Sequence, residues 1–192
     1  MTLGRSLTIA SAAGLGAGLV ARLLFEVLPE PWGTLANTSA LWGLVPFFVA
    51  LGVRARGWRS VTTGILSLAL MVTAWVLLSP VPVAWREVAM WAVVATIAGA
   101  LCGVAGSLAR NRRPWTHRAA LAFIGGIVAG EAVYGILLIG GPQWWFELVI
   151  GLALPLTLGR NWGDRLFSVL GASVVACALY GAYLLYDAVA VF

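Results

Sequence analysis

The chain contains no lysine, a single histidine and two cysteines among its 192 residues, and charged residues make up only 10% of it. These scarcities narrow the chemistry. One histidine, His117, in a link between apolar runs can complete neither a metal-ligand cluster nor a Ser-His-Asp set, so no metal ligand and no cofactor is expected. Cys102 and Cys177 fall within apolar runs, where a free cysteine packs as a small apolar residue, and no disulfide framework follows. A phosphate loop of the G-x-x-x-x-G-K-[ST] kind is absent, as is the pair of aspartate-rich motifs that would hold magnesium and a diphosphate. Diphosphate ionisation is therefore not the chemistry expected.

What is present is apolar. Hydrophobic residues account for 61% of the chain and mean hydropathy is +0.97, the composition of an integral membrane protein. Seven apolar runs, near 6–28, 35–53, 61–78, 87–109, 119–139, 142–159 and 166–190, predict an all-α, polytopic transmembrane helical bundle of about seven spans that makes up one membrane domain, residues 1–192. The opening MTLGRSLTIASAAG has a signal-like charge and apolar run, but its Ala10-Ser11-Ala12 site comes too early for cleavage, so it reads as an uncleaved first helix.

All twelve basic residues are arginine, and ten of them (Arg5, Arg54, Arg56, Arg59, Arg110, Arg112, Arg113, Arg118, Arg160 and Arg165) fall on one side of this seven-span arrangement. The positive-inside rule makes that side cytoplasmic and the N-terminus with it, in a multi-pass protein of the bacterial inner membrane. Anionic headgroups account for the net charge of +5, so membrane lipids and not nucleic acid are the partners expected. The links RGWR at 56–59, RPWTHR at 113–118 and RNWGDR at 160–165 repeat an Arg-x-Trp pattern. Interfacial anchoring by Trp and Arg explains it; an internal repeat of three helix-loop-helix units is the other reading.

Six of the seven acids lie on the opposite side or within the spans; only Asp164 joins the arginines. Glu30 and Glu87 are at span ends, where water can reach them. Glu26 follows Arg22 by four residues, one helical turn on the same face, which predicts an ion pair. Glu131, Glu147 and Asp187 are harder to place in lipid, where a carboxylate costs roughly 2.5 kcal/mol or more. Each has aromatic or polar neighbours at helical spacing: Tyr134 after Glu131, Gln143 and Trp144 before Glu147, and Tyr180 and Tyr183 before Asp187. Either they hydrogen-bond between helices, or they face a functional cavity. Gly14 and Gly18, Gly99 and Gly103, and Gly126 and Gly130 are each spaced four apart as packing seams, and Pro46 and Pro155 are expected to kink spans two and six.

Ten tryptophans exceed what interfacial belts need. Trp58, Trp115 and Trp162 suit an inner belt, and Trp32, Trp85, Trp144 and Trp145 an outer one. Trp42, Trp75 and Trp91 remain, inside spans two to four. An apolar pocket walled by aromatic faces and holding desolvated acids suits a prenyl chain: the carboxyl group donates a proton to an alkene or epoxide, and the rings stabilise the carbocation.

The segments LANTSALWGLVPFF at 35–48, GEAVYGI at 130–136 and LALPLTLGR at 152–160 resemble those of a family of small bacterial membrane proteins from which no activity follows. In size, aromatic content and intramembrane acids the chain is also similar to integral-membrane terpene cyclases of the drimentine type, and that likeness implies acids chosen from Glu26, Glu131, Glu147 and Asp187. The expectation is a metal-independent cyclase with Glu131, Asp187, Glu147 and Tyr134 as catalytic residues. Trp42, Trp75, Trp91, Trp144, Tyr180, Tyr183, Asn37 and Glu26 are the expected contacts to a lipophilic small-molecule substrate. The alternative is a small-molecule transporter or membrane solute-binding subunit; substrate and oligomeric state stay open.

Overall fold

The computed structural model describes residues 2–81 and 83–190, with side chains described up to Leu185. Among the described residues seven α-helices run as α1 Leu3–Val27, α2 Ser39–Gly52, α3 Trp58–Leu77, α4 Trp85–Leu108, α5 Pro114–Tyr134, α6 Pro142–Leu158 and α7 Trp162–Ala190. A 3-10 turn, Trp32–Asn37, precedes α2, and a π turn, Gly135–Ile139, extends α5. No strand occurs among the described residues. Each of the seven expected spans holds one α-helix, and five are long and apolar enough to cross a membrane: α1, α3, α4, α5 with its π turn, and α7 up to Leu185. The protein is an all-helical membrane protein. The 14 residues of α2 and the 17 of α6 rise only about 21 and 26 Å at 1.5 Å per residue, short of a ~30 Å hydrocarbon core.

Helix starts differ from the hydropathy boundaries in a consistent way. The helices α3, α5 and α7 begin inside the Arg-x-Trp links, at Trp58, Pro114 and Trp162, three to five residues before the apolar runs. Hydropathy marks where water ends, whereas a helix begins where its first amide groups are satisfied. The Asn161 side chain accepts the amide of Asp164 at 2.8 Å and starts α7. The α5 start is prepared by Asn111, whose side chain accepts the Arg113 amide at 2.9 Å, and by Pro114 as the first helical residue. Trp58, Trp115 and Trp162 are all exposed, as interfacial anchors require.

Two compact units divide the chain, Met1–Arg110 and Asn111–Phe192, with the boundary in the arginine-rich link between α4 and α5. In the first unit α3 packs on both α1 and α4, and α2 packs on α4. Bare backbones make these crossings: Gly14 and Gly18 lie against the main chain of Ser67 and Met71, and Gly99 and Gly103 against Gly64 and Ser60. In the second unit α5 is enclosed by α6 and α7. Gly126 and Gly130 meet Ala172, Val175 and Ala176 of α7, while Gly125 meets Gly151 and Pro155 of α6. All three small-residue seams of the sequence are thus helix crossings.

Candidate functional site

The expected tryptophan wall forms within the first unit. Asn37 from the 3-10 turn, Ser39 and Trp42 of α2, Val72, Trp75 and Val76 of α3, Val83, and Glu87 and Trp91 of α4 line one cleft of about 170 Å³. The wall is fixed from behind. Trp42 donates its indole N–H to the Ala36 carbonyl at 2.8 Å and meets Trp75 edge-on at 5.3 Å between centroids. The next layer is Phe25, 5.4 Å from Trp75, and the buried Arg22, whose guanidinium stands 5.2 Å from the Trp75 ring. Arg22 also pairs with Glu26 at 2.6 Å, the i,i+4 ion pair expected. Glu26 therefore supports the wall through Arg22 and is not among the lining residues, whereas Asn37 is. The carboxylate in the lining is Glu87, an exposed residue that position alone assigns to solvent.

A different set assembles in the second unit. Glu131 of α5 and Glu147 of α6 are 9% and 0% exposed. Gly151 abuts the Ala129 amide and Gly135 abuts the Trp144 ring, so α5 and α6 run antiparallel and Glu147 comes level with Ala132, the residue after Glu131. Gln143 and Trp144 are buried one turn away along α6. Against α7, Gly126 faces Val175 and Gly130 faces Leu179, a constant offset of parallel helices that brings Tyr134 and Tyr183 together with ring centroids 4.7 Å apart. Tyr180 is half-buried on the same stretch. Asp187 belongs to α7, but its side chain lies outside the described residues.

Trp144 needs a correction, because it is 4% exposed and is no belt residue, while its neighbour Trp145, at 59%, is free to be one. Gly135 explains it: without a side chain there, the indole seats directly on the backbone where the π turn begins. Such turns within α-helices recur at functional positions. Gly140 and Gly141, at φ +82° and +111°, then reverse the chain into α6 with Pro142 as its first residue.

Pattern-based reasoning missed one feature of this unit. Arg118 Nε meets Asp164 Oδ1 at 2.8 Å, an ion pair between α5 and α7 with the carboxylate almost wholly buried, flanked by the rings of Trp115 and Phe167 under the guanidinium. The buried His117 and Ser168 belong to the same end of the unit. The partners are 46 residues apart, so no local spacing announces them.

The model of a family of unknown function, DUF6518, matches residues 1–188. The chain belongs to that family. It covers all seven helices apart from the last residues of α7, in keeping with the resemblance carried by the segments at 35–48, 130–136 and 152–160. No curated protein and no solved structure matches the chain.

Proposed function

We propose that the protein is an integral-membrane enzyme that cyclises a lipophilic, prenyl-type chain by acid–base chemistry without a metal. The observation that supports this reading is the pair Glu131 and Glu147, two carboxyl groups buried at one level on adjacent helices in the second unit. Acids at membrane depth are costly to keep and mark functional positions, which makes both candidates for acid–base roles. In the proposed step a carboxyl group protonates a terminal alkene, an internal alkene closes a carbon–carbon bond onto the cation, and a neighbouring carboxylate takes up the final proton. Atoms in and out are equal, so the product has the mass of the substrate. The Tyr134 and Tyr183 rings offer π faces for the cation. The arginine distribution supports a cytoplasmic N-terminus for this enzyme.

Purified protein in detergent, given a farnesylated acceptor and a metal chelator, is expected to form an isomer of unchanged mass. Absence of isomer across a panel of prenylated substrates defeats the proposal.

A second reading, a solute-binding membrane subunit, is favoured by the tryptophan cleft of the first unit. At about 170 Å³ it is smaller than the roughly 300–1,000 Å³ of sites that enclose a whole drug-sized ligand, which suits one end of a longer molecule. Its carboxylate, Glu87, is exposed at the rim of the cleft lining. Ligand retained without conversion, together with uptake into proteoliposomes, is the outcome that prefers this reading.

A further inference from the structure

The arginine end of the first unit carries a second cleft, of about 330 Å³, lined by Ser6 of α1, by Val53, Arg54, Ala55 and Arg56 of the α2–α3 link, and by Arg59 of α3. Three arginines line it and no acidic residue does. The ion pairs found among the described residues, Arg22–Glu26 and Arg118–Asp164, leave all three arginines uninvolved.

The link is built to present them. The Ala55 amide returns to the Ala50 carbonyl at 3.1 Å and the Arg54 amide to that of Leu51 at 3.4 Å, the two bonds of a Schellman cap on α2. Val53 and Ala55 are buried with Ala10, Val49 and Ala50, which turns Arg54 and Arg56 outward on either side of Ala55. In such a cap the residue after the helix adopts a left-handed conformation that favours glycine, and here Arg54 holds φ +56°. Arg54 therefore occupies a position that glycine would fill without strain.

We propose that this cleft binds a phosphate group through Arg54, Arg56 and Arg59. Guanidinium forks match phosphate oxygens in pairs, and three of them with no competing acid make a site for an anion. The phosphate comes either from an anionic phospholipid headgroup or from a soluble phosphate compound.

Thermal unfolding of the detergent-solubilised chain, titrated with phosphatidylglycerol, phosphatidylcholine or inorganic phosphate, distinguishes the sources. The wild-type midpoint is expected to rise with phosphatidylglycerol and far less with phosphatidylcholine; a rise with inorganic phosphate as well assigns the site to a soluble compound. In Arg54→Gly, whose new glycine suits the backbone, and in Arg56→Gln/Arg59→Gln, apparent affinity is expected to fall at least about tenfold. Arg112→Gln/Arg113→Gln, which removes exposed charge elsewhere, is expected to keep it. The proposal is overturned if neither phosphatidylglycerol nor inorganic phosphate stabilises the wild type, if Arg54→Gly responds as the wild type does, or if the Arg112→Gln/Arg113→Gln variant loses as much as the site variants.

Discussion

In the first unit the charged groups stand near helix ends and several line clefts; in the second, two carboxyl groups are buried within helices. Arg22 is buried, yet its partner Glu26 is half exposed, and the cleft wall it supports ends in the exposed Glu87. Glu147, by contrast, has no exposed surface. The units share one kind of inventory, tryptophans with acids and an amide. What differs is the position of the acid along its helix: Glu87 is in the first turn of α4, Glu147 in the second turn of α6, just past the seat that Gly135 gives Trp144. One turn of helix separates a carboxyl group that meets solvent from one held inside protein.

Three substitutions test that contrast, in order of expected effect. Asp164→Ala strands the Arg118 guanidinium between α5 and α7, and a cost of about 3 kcal/mol is expected, the low end for a broken buried pair because Arg118 is partly exposed. Amide hydrogen exchange should rise mainly within residues 111–192; an equal rise throughout the chain breaks the description of two units. Gly103→Leu forces a side chain into the main chain of Ser60 and Gly64, where overpacking costs about 2 kcal/mol. Its exchange should rise mainly within residues 1–110. Trp91→Ala is the mildest, since the ring is 36% exposed in the cleft wall: affinity for a prenylated ligand taken up there should weaken about fivefold, or ~1 kcal/mol, by equilibrium binding. An unchanged affinity would remove the cleft from the binding account.

Local spacing carried much of this into the sequence. Arg22 and Glu26 are one turn apart on one helix, so their pairing is legible without knowing the fold, and the glycine seams are legible for the same reason. Arg118 and Asp164 are not, because their meeting depends on how α5 and α7 pack. Trp144 and Trp145 are adjacent and identical in type; which of them is buried is decided by the π turn and two positive-φ glycines before α6, a register that hydropathy does not encode. Glu87 entered the cleft lining unannounced, since the cleft exists only where the 3-10 turn, α2, α3 and α4 converge. The aromatic wall itself was readable as the tryptophans that interfacial belts leave over.

Glu131 is the residue at which a proton donor and a purely structural acid part ways. Glu131→Gln keeps the side-chain shape and removes the acidic proton. Binding and turnover of a farnesylated acceptor should be measured on one preparation of this variant, beside wild type, with the folded fraction determined for both. Near wild-type binding is expected, with isomer formation lowered by at least about 100-fold, the usual scale for a lost general acid. Wild-type turnover, or a loss of folding with unchanged activity per folded molecule, would contradict it.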